Sequence, residues 1–181
     1  AIRAVLDSDI PREDLSSMRA MIAGTAPVDP ELVDAFLERY GIPILITYGA
    51  TEFSGAVAGW TAKDFYTSWQ QKKGSVGRAF PGVRLQVVDE DGTALGPGQT
   101  GRLQIASAQV GDSAEKWVTT SDLAHLDEDG YLYIDGRADD VIVRGGFKIA
   151  PETVVRALRG HEAVADAGVA GLSDRRLGQV P

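Results

Sequence analysis

"DPELVDAFLERYGIPILITYGATE", Asp29 to Glu52, is the stretch that decides the fold class. Asp29 is of the type that caps a helix N-terminus, and Pro30 sits where a first helical residue has no need of its N–H. Leu32, Val33, Phe36 and Leu37 then recur at helical spacing, and Gly41 supplies a stop. The run from Ile42 to Thr47 is apolar and β-branched, as in a buried parallel strand. A short apolar segment, Met18 to Ala23, precedes the helix and ends in Gly24-Thr25-Ala26-Pro27. Strand, helix, strand in that order predicts an α/β layer. The apolar run stops at Tyr48, and Gly49, Thr51 and Glu52 follow. That order suits a nucleotide site at the carboxyl edge of a sheet: a flat ring, a small residue, a hydroxyl and a carboxylate able to hold Mg²⁺. It equally suits a strand that ends in a turn with Glu52 in water.

Outward from this stretch the texture changes. Lys63 to Lys73 is polar and aromatic with no clear period. From Gly74 onward turns recur, at Pro81-Gly82, Asp91-Gly92 and Gly96-Pro97-Gly98. The short alternating runs between them, Val83 to Val88 and Gly101 to Ala106, read as antiparallel strands. Further strands are expected at Tyr131 to Ile134, Val141 to Val143, Phe147 to Ile149 and Val164 to Val169. Gly145-Gly146 is the expected turn of a hairpin. Pro151 starts a helix with Val154, Val155 and Leu158 on one face. The expected fold is mixed α+β: an α/β layer portion at 1–60, a β-rich barrel-like part at 74–135, and a small α+β portion at the C-terminal end.

Composition excludes several function classes. Of 181 residues, 44% are hydrophobic, enough for a packed core. A net charge of −8 argues against a general nucleic-acid binder. The absence of cysteine removes disulfides and thiolate zinc sites. His125 and His161 are not spaced as a metal-ligand pair. No apolar run reaches the ~20 residues of a membrane helix, and a cytoplasmic protein is the default expectation.

A second cluster lies in "TTSDLAHLDEDGYLYIDGRADDVIVRGGFKIAPETVV", Thr119 to Val155. Taken with "AGTAP" and "YGATE", it resembles the adenylate-forming enzymes: acyl-CoA synthetases, peptide synthetase adenylation domains and firefly luciferase. The resemblance covers nearly the whole chain, with several separated motifs in the family's order. It implies activation of a carboxylic acid by ATP to an acyl-adenylate and pyrophosphate, then transfer of the acyl group to a thiol such as coenzyme A. ATP, Mg²⁺ and coenzyme A are the implied cofactors, and a small-molecule carboxylic acid is the implied partner. Among the thioester-forming members an acyl-CoA synthetase, with fatty acid metabolism as its setting, is the first expectation. A peptide synthetase adenylation domain and a non-catalytic nucleotide-binding module are the alternatives.

Residue by residue, the resemblance implies the following roles. Gly24, Thr25 and Ala26 match the loop that lines the adenine pocket. Tyr48, with Gly49 beside it, matches the aromatic that packs against adenine. Thr51 matches the hydroxyl on the α-phosphate, and Glu52 the Mg²⁺ carboxylate. Asp122 matches the acceptor of both ribose hydroxyls, a task a carboxylate can perform for two donors at once. Arg137 matches the arginine at ribose and phosphate, where a planar, permanently charged fork is suited. Thr51, Glu52 and Arg137 are thus the catalytic candidates. Asp139 matches the hinge between a large domain, 1–137, and the start of a small mobile one, 138–181. Gly145, Gly146 and Lys148 match the loop that lines the thiol tunnel, where glycines let backbone approach a narrow arm. Taken alone, Asp122 would also serve as a cap, Arg137 as a surface arginine, Gly145-Gly146 as a plain turn and Lys148 as a solvated lysine.

Some of the family's pattern is missing. No Gly/Ser/Thr-rich phosphate loop is present, and the resemblance places it before Ala1. It places the small-domain catalytic lysine after Pro181. The chain is therefore expected to be part of a longer enzyme, and inactive in adenylation by itself. Between Val110 and Thr119 it is shorter than family members usually are. Ser121 stands where the family has glycine, and a side chain that small leaves the expected role of Asp122 intact.

Overall fold

The computed structural model describes residues 2–50, 53–107 and 116–181. In chain order the elements are α1 (Ile2–Leu6), β1 (Met21–Ala23), α2 (Pro30–Tyr40), β2 (Ile44–Ala50), β3 (Gly55–Gly59), α3 (Ala62–Ser68), β4 (Arg78–Ala79), β5 (Val83–Val88), β6 (Gly101–Ser107), β7 (Val118–Leu126), β8 (Leu132–Arg137), β9 (Ile142–Arg144), β10 (Phe147–Ile149), α4 (Pro151–Arg159), β11 (Leu172–Asp174) and β12 (Gly178–Val180). The strands form three four-stranded sheets, ordered β1-β2-β3-β4, β5-β6-β7-β8 and β10-β9-β12-β11. The fold is mixed α/β, and its β-rich part is an open sheet rather than a closed barrel.

Two compact units divide the chain. The first takes in Ala1–Leu85, Ile105–Trp117 and Asp127–Tyr133; the second takes in Gln86–Gln104, Val118–Leu126 and Ile134–Pro181.

In the first unit β1 and β2 are parallel, with Met21 opposite Ile44 and Ala23 opposite Ile46. Helix α2 connects them. Gly41 ends that helix in the left-handed conformation, φ 72°, and its N–H bonds Leu37 O. Asp29 occupies the N-cap position, but its side chain makes no capping hydrogen bond. Val33 and Phe36 are fully buried and pack with Ile44 and Ile46. The core continues into an aromatic group. Trp60 lies 5.4 Å from Trp69 and 5.0 Å from Tyr131, centroid to centroid. The indole N–H groups of both tryptophans are satisfied. Trp60 Nε1 donates to Ser75 O at 2.9 Å, and Trp69 Nε1 to Asp34 Oδ1 at 2.7 Å. Both tryptophans therefore contribute large buried areas without stranding a donor.

Three sequence expectations are corrected. Strand β2 does not stop at Tyr48; it runs on to Ala50, because β3 pairs antiparallel with its second half. The segment Lys63 to Lys73 begins within helix α3, whose N-cap Thr61 accepts from Asp64 N at 3.1 Å. Finally, Val164 to Val169 is not a strand. There, Asp166 takes Ala167 N at 2.8 Å and pairs with Arg159, so side-chain bonds replace a ladder.

In the second unit the sheet β10-β9-β12-β11 is built on hairpins. Phe147 faces Arg144 and Ile149 faces Ile142 across the β9–β10 pair. Gly145 and Gly146 both have positive φ, 57° and 87°, as a two-residue hairpin turn of mirror type requires. Helix α4 follows from Pro151, as expected from the sequence.

Candidate functional site

The first unit carries the loop after β1 and the second half of β2. Gly24 is packed against β2: a Cβ there would stand 2.8 Å from Thr47 Oγ1 and 3.1 Å from Thr47 O. The loop and the Tyr48 region thus share the carboxyl edge of the parallel pair. Thr25 is held at φ 67°, a left-handed conformation unfavourable for a threonine. Thr25 and Ala26 are exposed, and Tyr48 is half-buried.

Strand β2 shifts register between Tyr48 and Gly49, where β3 bulges. Gly49 sits at that shift. A Cβ on it would lie 2.1 Å from Gly55 O and 2.7 Å from Ala56 Cα, so the backbone of β3 occupies the space any side chain would need. Its smallness has a structural cause of its own. Thr51 and Glu52 lie outside the described residues.

The second unit carries Asp122 and Arg137. Asp122 is on β7 with its side chain 16% exposed. Thr120, two residues before it, is buried; its hydroxyl donates to Leu103 O at 3.1 Å and accepts from Asp122 N at 3.1 Å. That hydroxyl ties β6 to the backbone of Asp122 and fixes where the carboxylate stands. Sequence reasoning missed Thr120, although a threonine two residues before an aspartate is a recognisable local pattern. Arg137 ends β8. Its guanidinium lies 3.8 Å from Asp122 Oδ1, 3.6 Å from Asp139 Oδ2 and 3.8 Å from Asp140 Oδ2. All three distances exceed those of direct hydrogen bonds, so the guanidinium is attracted on several sides and locked by none of the three. Its side chain is half-exposed.

Two features beside Arg137 were not expected from the sequence. Gly136 has φ 144°, and a Cβ there would stand 2.7 Å from Glu152 Oε2. That Glu152 oxygen is buried and has no hydrogen-bond partner among the described residues. Asp139 lies on a short 3-10 turn, Ala138–Asp140, between β8 and β9. Lys148 is on β10, two residues after the glycine turn, and pairs with Glu90.

Elsewhere the charged groups have structural roles. Lys72 bridges Asp127, at 2.8 Å, and Asp129. The hydrogen bonds to Asp127 and Asp129 push the Lys72 ammonium well above its ordinary pKa. Burial draws the Asp127 carboxyl upward, but hydrogen bonds from Lys72 and from the Tyr131 and Asp129 amides outweigh it and hold it below its usual range. Asp34 behaves likewise, with burial outweighed by the bonds from Lys73 and Trp69. Among the described residues no group of three or more histidines and carboxylates is placed to hold a metal. No helix among them is long and apolar enough to cross a membrane.

A mixed α/β chain with a loop at the edge of a parallel pair, and a carboxylate and an arginine on neighbouring strands, has clear relatives. The family model for AMP-binding enzymes matches residues 1–112, and the chain belongs to that family. It is 35% identical over 178 residues to a 2-succinylbenzoate–CoA ligase of Bacillus cereus, covering 92% of this chain and 36% of that protein. It is 34% identical over 185 residues to a 4-coumarate–CoA ligase-like protein of Oryza sativa, covering 94% of this chain and 30% of that one. Among solved structures, o-succinylbenzoate CoA synthetase (MenE) of Bacillus subtilis with its acyl-adenylate intermediate superposes with TM-score 0.81 at 28% identity, covering 99% of this chain and 38% of that one. ATP-bound MatB of Rhodopseudomonas palustris gives TM-score 0.85 at 26% identity, covering 98% and 37%. The chain thus spans only about a third of the length of these relatives, between 30% and 38%.

Proposed function

We propose that this chain is the part of an ATP-dependent carboxylic acid–CoA ligase that binds the nucleoside of ATP and carries the thiol-facing loop. One observation carries the reading: Asp122, half-buried and held by Thr120, stands beside the half-exposed guanidinium of Arg137. A carboxylate that accepts and a guanidinium that donates form the donor set a ribose and its phosphate require. This fits ATP on chemistry. In the proposed roles Asp122 accepts from the ribose hydroxyls, and Arg137 exchanges its loose carboxylate partners for phosphate oxygens. The ring of Tyr48 packs on the base beside the Gly24–Ala26 loop. Thr51 and Glu52 are assigned to the α-phosphate and Mg²⁺ by motif alone. Mg²⁺ would neutralise charge that develops on the phosphates. Asp139 is proposed as a hinge, with residues 1–137 and 138–181 belonging to different domains.

Support for coenzyme A as the thiol comes from the relatives, which are named as CoA ligases. Gly145, Gly146 and Lys148 are its proposed contacts. The acid is proposed as a small-molecule carboxylic acid. The relatives are named for 2-succinylbenzoate and 4-coumarate rather than for fatty acids, so aromatic acids stand beside fatty acids as proposed substrates. A cytoplasmic location is part of the proposal and is open to cell fractionation.

The test is a calorimetric titration with ATP·Mg²⁺ of the chain and of the complete enzyme that contains it. Asp122→Ala is expected to weaken binding ~10–150-fold, the equivalent of ~1.5–3 kcal/mol for hydrogen bonds to a charged group. Asp122→Asn, which keeps one acceptor, is expected to fall between. Unchanged affinity in both variants rejects the assignment.

A further inference from the structure

The second unit contains an open groove of about 930 Å³. Arg102, Gln104 and Thr119 line one side, and Val141, Val143 and Lys148 line the other. The polar side is satisfied within its own sheet: Gln86 donates to Gln104 at 2.6 Å, and Gln104 donates to Thr119 at 2.9 Å. Separating the two sides therefore strands none of these amides, because their partners do not come from across the groove. On the hairpin side Val143 remains 44% exposed. An ion pair between Lys148 and Glu90, both of which line the groove, spans it.

We propose that Glu90 is a positioning residue: it latches Lys148, and with it the Gly145–Lys148 hairpin, across this groove through a salt-sensitive ion pair. Both partners sit on preorganised turns. Glu90 lies at the tip of a loop in which Asp89 Oδ1 accepts from Asp91 N at 3.0 Å and Thr93 N at 2.8 Å, and Asp89 N bonds Thr93 O at 3.0 Å. Lys148 follows the mirror-type glycine turn, whose Gly145 N–H is itself fixed to Leu177 O at 2.7 Å. Pairing therefore orders two side chains but little backbone, which removes much of the cost that makes surface pairs weak. The hydrogen bond from Lys148 also keeps the Glu90 carboxyl below its ordinary range.

The magnitude follows from exposure. Glu90 is 83% exposed and Lys148 65%. Pairs of that kind shift an equilibrium by at most about fivefold, so the latch biases the hairpin and does not lock it. It also gives Lys148 an intramolecular anion that any anionic ligand must displace. Only the identity of that ligand, a coenzyme thiol substrate, rests on the function proposed above.

The experiment uses the ligand-free chain, so its outcome is independent of the ATP titration. A zero-length carbodiimide joins a lysine to a carboxylate only where the two touch. A Glu90–Lys148 cross-link, identified by peptide mass mapping, is expected at low salt. Its yield is expected to fall severalfold at ~1 M salt, where the screening length is about 3 Å. Glu90→Gln is expected to speed amide exchange across residues 145–149 by up to about fivefold at low salt and not at high salt. The charge swap Glu90→Lys with Lys148→Glu is expected to restore slow exchange. Absence of the cross-link at low salt overturns the proposal. So does exchange in Glu90→Gln that matches the wild type, or that rises equally at all salt concentrations and extends through Asp89–Thr93, the signature of a collapsed turn.

Discussion

Gly49→Ala separates two reasons why a small residue stands at the end of β2. A ligand-driven reason predicts no penalty in the empty protein. The structure assigns a penalty there. The added Cβ would meet Gly55 O at 2.1 Å, Ala56 Cα at 2.7 Å and Gly55 C at 2.8 Å, all backbone atoms of β3. None of them is the end of a flexible side chain, so relief requires β3 to withdraw from β2. Withdrawal breaks the Gly49–Ala56 and Ala50–Gly55 pairings. Two backbone hydrogen bonds at ~1 kcal/mol each, or overpacking at ~1–3 kcal/mol, lead to the same figure of about 2–3 kcal/mol. For a chain of this length that is roughly 4–12 °C in Tm. Urea unfolding followed through the buried Trp60 and Trp69 reads the unit concerned. The comparison variant is Gly74→Ala. It lies in the same unit, at φ 85° with nothing within 4 Å of its Cβ, so it bears only the left-handed cost of ~1–2 kcal/mol. If Gly49→Ala proves no more destabilising than Gly74→Ala, the close approach of β3 is not what requires glycine at 49.

Other perturbations have equally definite outcomes. Thr25→Gly removes a left-handed threonine at φ 67°, and the urea midpoint is expected to rise by the equivalent of ~0.5–1 kcal/mol, the steric gain less the entropy of glycine. Asp34 and Asp127 both have folded pKa values below their ordinary range, so their contribution is complete above the unfolded carboxylate value near ~3.9 and is lost as pH falls through the lower folded values. The double variant Asp34→Asn with Asp127→Asn is therefore expected to flatten the stability profile below about pH 4, as read from urea midpoints at a series of pH values. Glu152→Ala removes a buried oxygen that has no hydrogen-bond partner among the described residues, and the urea midpoint is expected to stay or rise, because relief of the desolvation cost offsets the packing lost. Gly136→Ala is expected to destabilise, and less so in the Glu152→Ala background, because part of its clash is with Glu152 Oε2; a double-mutant cycle with no coupling refutes that contact.

Where signals were local, the sequence was sufficient. Pro30 and Gly41 bracket α2 because their effects act within one turn of the chain. Gly145-Gly146 marks its hairpin because two consecutive positive φ angles are almost a glycine property. Where the decisive partner was distant, it was not. The extension of β2 to Ala50 depends on β3, and nothing inside "TYGA" announces a strand that switches from a parallel to an antiparallel neighbour. Helix α3 was hidden because Phe65 and Trp69 are drawn into the Trp60 cluster, so its aromatics answer to that core as much as to an amphipathic period. Glu90 and Lys148 are 58 residues apart, and each reads by itself as an ordinary solvated charge.

The candidate site divides along the same line. Residue types alone could not distinguish Gly49 as room for a ligand from Gly49 as room for β3, and the geometry supports the second. The weight of the functional reading therefore moves off the small residues and onto Asp122 and Arg137. There a carboxylate whose side chain is 16% exposed faces a guanidinium 3.8 Å away that two further carboxylates, Asp139 and Asp140, also attract. On the proposed function Arg137 exchanges these loose carboxylates for phosphate while Thr120 pins the backbone of Asp122, so Asp122 is the residue on which the nucleotide assignment is to be tested first.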